Sequence, residues 1–90
     1  MPNLKSAKKR MRTAEKARQR NRIVKRRVRR ARRAVLEAVE AGDLAAAEEK
    51  FRLFTSVIDK AVKKGVYKPN TANRYKQRLA ARMRVLRRAA

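Results

Sequence analysis

Bulky apolar side chains are almost absent from the first quarter of this chain and then recur at intervals of three and four. Between Lys5 and Arg22 the one such residue is Met11, whereas Val24, Val28, Ala31, Val35 and Ala38 form a continuous seam. A second seam runs through Leu44, Ala47, Phe51, Phe54, Ile58 and Ala61, and a third through Ala72, Tyr75, Leu79, Met83 and Leu86. Steps of three and four put such positions on one face of an α-helix. Two breaks separate the seams: Gly42-Asp43 reads as a helix stop followed by an N-cap, and Lys63-Lys64-Gly65 as a basic last turn closed by glycine. The pattern predicts helices over about 5–41, 44–64 and 71–88. The fold class is therefore all-α, a three-helix bundle whose core includes Phe51, Phe54, Tyr75 and Met83. Tyr67, between the second and third helices, has no assignment from periodicity.

The first predicted helix is too long for its neighbours. At 1.5 Å per residue its thirty-six or so residues span about 54 Å, against about 30 Å for the second. Its N-terminal half must project beyond the bundle. There the seam positions Met11, Ala14, Ala17 and Asn21 are mostly small or polar, so nothing apolar offsets the entropy of ordering them. The expected organisation is a single domain, 1–90, in which an arm, 1–22, leads into a bundle, 23–90. Alone in water the arm is expected to fray.

Charge follows the same boundaries. The 90 residues carry 29 lysines and arginines against 7 acids, a net +22. Sixteen of those bases lie between Lys5 and Arg33 with Glu15 as the sole acid, six acids cluster between Glu37 and Asp59, and residues 61–90 have ten bases and no acid. Such a field opposes compaction and attracts polyanions. Neither cysteine nor histidine is present, which removes disulfides and the usual zinc ligands; no metal or cofactor is expected. With no secretory leader or apolar run of spanning length, the chain reads as soluble and cytoplasmic, without a membrane or small-molecule partner.

Opposite the first seam lie Arg22, Arg26, Arg29, Arg30 and Arg33, flanked by Lys25, Arg27 and Arg32. Farther out, Lys5, Lys8, Lys9, Arg10, Arg12, Lys16, Arg18 and Arg20 leave hardly any side of the helix uncharged. Charge all round a rod suits a crevice between phosphate backbones, which folded RNA provides more fully than one straight duplex. Arginine's planar fork suits bidentate phosphate contacts and stacking on bases.

Other classes fit less well. A basic-region zipper would run into leucine heptads, yet Gly42-Asp43 breaks the helix soon after Arg33. A membrane-surface helix needs bulky apolar residues opposite its basic face, and residues 5–22 lack them. The mid-chain acids read as complements to helix dipoles and as relief of bundle repulsion rather than as an active site, so no enzyme is expected. A nucleoid-type DNA-compacting protein is the alternative that charge and helices alone allow.

Two stretches carry a more specific signal. MPNLKSAKKRMRTAEKARQRNR, at 1–22, and KKGVYKPNTANRYKQRLAAR, at 63–82, resemble the two signatures of the bacterial small-subunit ribosomal protein twenty family, and the AGD break at 41–43 falls at that family's first turn. The resemblance implies a three-helix bundle with an extended first helix. It also implies direct binding to 16S ribosomal RNA, at the 5′ domain and the long stem near the 3′ end, within the small ribosomal subunit. Carried over by position, the RNA-binding residues are Lys5, Ser6, Lys8, Lys9, Arg10, Arg12, Lys16, Arg18, Arg20, Asn21 and Arg22 in the arm. In the second signature they are Lys63, Lys64, Asn70, Thr71, Arg74, Lys76 and Arg78. Ser6 and Asn21 suit hydrogen bonding to phosphate or ribose. This chain departs from the family at Lys68-Pro69, commonly histidine followed by lysine, and at Asn73 and Tyr75, which replace a small and a basic residue. Pro69 is expected to start the last helix at Asn70, with Asn70 or Thr71 as its N-cap.

Overall fold

The computed structural model describes residues 3–89, so the first two residues of the expected arm and the last residue of the expected domain lie outside the described residues. Three helices follow one another: α1, Asn3–Glu40; α2, Leu44–Lys63; and α3, Pro69–Ala89. α2 packs along the C-terminal part of α1, and α3 lies mainly on α2 with a smaller contact to α1. The described chain is rod-like, 69 × 21 × 14 Å. Its radius of gyration is 18.0 Å, against about 12 Å for a compact chain of this length. The excess length is α1, whose basic half has no apolar face to fold back.

The three seams meet as the core. Val35, Ala47, Phe54, Ile58 and Ala61 are wholly buried, and Val24, Val28, Ala72, Leu79 and Met83 are nearly so. Phe51 and Tyr75 are half-buried against them. Leu36, Val39, Val57 and Val62, off the seams by one position, widen the contact. Tyr67, unassigned from the sequence, packs its ring edge-on to Tyr75 with centroids 6.3 Å apart and joins the core margin.

Both breaks are built the same way. Gly42, at φ 74°, ends α1: its N–H donates to Val39 O at 3.0 Å while the Asp43 N–H donates to Ala38 O at 3.1 Å. Gly65, at φ 76°, ends α2 with the matching pair, Gly65 N–H to Val62 O and Val66 N–H to Ala61 O. This doubly bonded closure satisfies carbonyls that a helix end leaves free, and its left-handed residue favours glycine. Asp43 then caps α2, its Oδ1 accepting from the Ala46 N–H at 3.1 Å.

Two expectations from the sequence are corrected. The last helix starts at Pro69, not Asn70, and its first bond runs from the Ala72 N–H to Lys68 O at 3.0 Å. Pro69 thus holds the first helical position, where its fixed φ suits a helix and its missing N–H costs nothing; Asn70 and Thr71 lie inside the helix and do not cap it. The acids, moreover, do not generally complement dipoles. Glu37 and Glu40 sit in the last turn of α1, where the dipole opposes them, and only Asp43 among the described acids caps a helix end. Two of the others pin helices together: Asp59 holds Lys76 at 2.5 Å, and Glu48 Oε1 accepts from Arg87 Nε and Nη2 at 3.2 and 3.0 Å.

Candidate nucleic-acid interface

The interface follows from what α1 lacks. Every described side chain from Leu4 to Lys16 is exposed, and Val24 is the first buried residue. Over this length like charges recur four apart, as in Lys5 with Lys9, Lys8 with Arg12, Arg12 with Lys16, and Lys16 with Arg20. Each such pair costs about 0.2–0.5 kcal/mol. Basic residues near an N-terminus also oppose the helix dipole. The one ion pair formed by a described residue of the arm is Arg18 with Glu15, exposed and 3.7 Å long. Both costs diminish when phosphates lie alongside.

The expected residues group into distinct surfaces. Lys9, Arg10 and Ser6 line a shallow groove over Thr13, Ala14 and Ala17, where small side chains let a backbone approach the helix closely. Arg26, Arg29, Arg30 and Arg33 enclose a groove of about 220 Å³ with no other lining residue. Lys5, Lys8, Arg12, Lys16, Arg18, Arg22 and Lys25 are exposed around the remaining circumference. On α3, Arg74 and Arg78 are exposed and share a helical face with the half-buried Thr71. Lys63 and Asn70 are exposed at the helix ends. Lys76 differs from the rest, because its ammonium is engaged by Asp59 and fastens α3 to α2.

One surface joins the two sequence signatures. Arg20 and Asn21 from α1 meet Lys64 from the turn after α2 across a cleft of about 780 Å³, together with Ile23, Arg27 and Val66. The turn is carried there by the closure at Gly65, which returns Val66 to Ala61. Arg27, Val24 and Lys64 continue it into a smaller groove bordered by Lys60 on α2.

Sequence reasoning left Ile23 and Val66 without a role and placed Arg27 only on a flank. Ile23 and Arg27 stand off the first seam, and only the fold of the turn brings Val66 beside them. Arg32 was assigned to a flank without a partner; its guanidinium lies over the Tyr75 ring, 5.2 Å from the centroid, a cation–π contact that fixes its direction. Next to it, burial raises the Tyr67 hydroxyl above its ordinary pKa of 10.0; Tyr75 adds to the rise and Arg29 opposes it. The signal for this cluster was the pair of tyrosines spaced eight apart across the start of α3, one in the turn and one on the seam.

Among the described residues no helix is long and apolar enough to cross a membrane. Fold and surface together define a small all-α basic protein with a tight helical core at one end and a polycationic rod at the other. The particular family follows from comparison: the chain belongs to the ribosomal protein S20 family, whose profile matches residues 2–84, and it is thus a structural protein of the ribosome and not an enzyme. It is 49% identical over 80 residues to the small ribosomal subunit protein bS20 of Corynebacterium aurimucosum, covering 89% of this chain and 92% of that one. Identity to the bS20 protein of Fusobacterium nucleatum is 46% over 86 residues, 96% of each chain. With that of Pseudoalteromonas translucida it is 42%, over 96% of this chain and all of the other. The family places this fold in the ribosome.

Proposed function

We propose that this chain binds 16S ribosomal RNA directly and stabilises its fold during small-subunit assembly in the cytoplasm, by neutralising phosphates along α1. The observation that carries the reading is the exposed, almost unpaired cationic surface that surrounds α1 from Lys5 onward, in a chain of the S20 family. Residues 23–90 serve as a rigid anchor and residues 1–22 as an arm that enters a crevice between RNA strands. Sixteen bases bring together phosphates that would otherwise repel one another, and counterion release supplies much of the affinity.

The contacting residues on this reading are the arm set Lys5, Ser6, Lys8, Lys9, Arg10, Arg12, Lys16, Arg18, Arg20, Asn21 and Arg22. Lys25, Arg26, Arg29, Arg30 and Arg33 continue them, and Lys63, Lys64, Asn70, Thr71, Arg74 and Arg78 add the second signature. Lys76 contributes by orienting α3, since its charge is engaged by Asp59. The RNA regions are the 5′ domain and the long stem near the 3′ end. Because only the arm's own backbone bonds hold its helix, the arm gains helicity on RNA.

Deleting residues 1–22 tests the division of labour. The bundle's cooperative melt stays nearly intact while RNA binding weakens strongly; loss of the melt would mean that the arm belongs to the protein core. Circular dichroism of the full chain shows a gain of helix on adding folded 16S 5′-domain RNA, and an arm already fully helical when free would contradict coupled ordering.

A further inference from the structure

Ile23 is half exposed, at 51%, amid arginines, although a buried seam runs beside it. An apolar side chain in that position has no role in phosphate neutralisation, and α1 needs none there for its core. It lines the cleft where α1 meets the turn after α2, which combines apolar and cationic side chains. Ile23, Val24 and Val66 give it an apolar floor; Arg20, Arg27 and Lys64 border it. Among the described residues none of those three cations forms an ion pair, and no acid lines the space. By contrast, the arginine groove at Arg26, Arg29, Arg30 and Arg33 has no apolar lining at all. Two further grooves also mix apolar and basic residues, but the one at Phe51, Met83 and Arg84 has its Arg87 held by Glu48, and the one at Val24 and Lys60 is only about 130 Å³.

Resting on the RNA-binding reading above, we propose that this junction cleft receives one extruded nucleotide of the bound RNA. Its base lies on Ile23 and Val66, and its phosphate is held among Arg20, Arg27 and Lys64. Three features fit that occupant. The cleft's volume of about 780 Å³ falls within the range of about 300–1,000 Å³ usual for ligand sites. An unstacked base presents flat apolar faces for the floor, and its phosphate requires unpaired cations at the rim. Asn21, on the lip, offers an amide donor and acceptor together, the pair that matches an adenine edge, whereas a lysine or arginine there could only donate. The arm therefore supplies neutralisation along its length and a single point of registration at its root, fixing how far α1 is inserted.

The test uses the full chain with labelled methyl groups. Adenosine 5′-monophosphate is added in one titration and ribose 5-phosphate in another. The inference expects the nucleotide to shift the Ile23 and Val66 methyl signals upfield by the ring current of the base, and the ribose phosphate to leave them in place. Equal shifts with both compounds would overturn it. Ile23→Ala, at an exposed position that leaves the core intact, weakens binding to the folded 5′-domain RNA by about tenfold. The slope of affinity against salt does not change, because no cation is lost. Binding as tight as that of the parent chain, or a shallower slope, would contradict base docking. The parent chain is measured first against transfer RNA; absence of preference for the ribosomal RNA removes the RNA-binding reading itself and the inference with it.

Discussion

Phe54, Val35, Ile58 and Leu79 are the largest side chains that are essentially fully buried, and they come from all three helices. With so few large residues in the core, each carries a large share of the stability. Phe54→Ala removes the centre of the packing and costs about 3–5 kcal/mol, read as a fall in the denaturant midpoint; a cost below about 1 kcal/mol would mean that the helices repack around the gap. The seams made these residues legible, because steps of three and four identify a buried face without knowledge of its partner. Lys76 was not legible. Its partner Asp59 lies 17 residues away on another helix, and no local pattern distinguishes an inter-helix ion pair from a phosphate contact. Tyr67 gives a pH signature. Its pKa is raised above 10.0 by burial first, so the folded chain keeps a proton that the unfolded chain has lost. Stability therefore falls as pH rises above that value through the folded pKa. Thermal melts of the parent chain and Tyr67→Phe across that range show the smaller decline in the variant; identical declines would remove Tyr67 from the effect.

The helix ends separate what local sequence encodes from what it only suggests. Gly42 and Gly65 have open space where a Cβ would be, with nothing within 4 Å, so alanine there meets no clash but must adopt a left-handed backbone. Gly42→Ala and Gly65→Ala each cost about 1–2 kcal/mol by chemical denaturation. A neutral result would show that the turn relaxes into another closure. Asp43→Ala costs about 1 kcal/mol through loss of its bond to Ala46, whereas Asn70→Ala changes stability by less than about 0.5 kcal/mol. The contrast reflects why one cap was readable and the other was not. Gly42-Asp43 combines a stop with a capping side chain, while Pro69-Asn70-Thr71 offers three starting signals in a row. The structure uses the earliest, since the proline's φ is already helical and the Lys68 carbonyl closes the first turn.

Across the whole molecule, the sequence showed which surface is cationic but not how its parts converge. The exposed rod was legible because residues 5–22 contain too little apolar surface to be buried. The junction cleft was not, since Lys64 and Val66 reach Arg20 and Ile23 only through the closure by two hydrogen bonds at Gly65. The long axis of 69 Å is the physical expression of that division: a small core at one end and, at the other, an exposed cationic helix that the proposed function partners with phosphates. A direct measurement of that partnership is the affinity of the full chain for folded 16S 5′-domain RNA across a salt series, with transfer RNA and duplex DNA as competitors. If α1 neutralises about ten phosphates, log K falls against log salt with a slope of about −7 to −9, and binding survives competitor at moderate salt. A slope near about −2, or equal affinity for all three nucleic acids, would contradict the account.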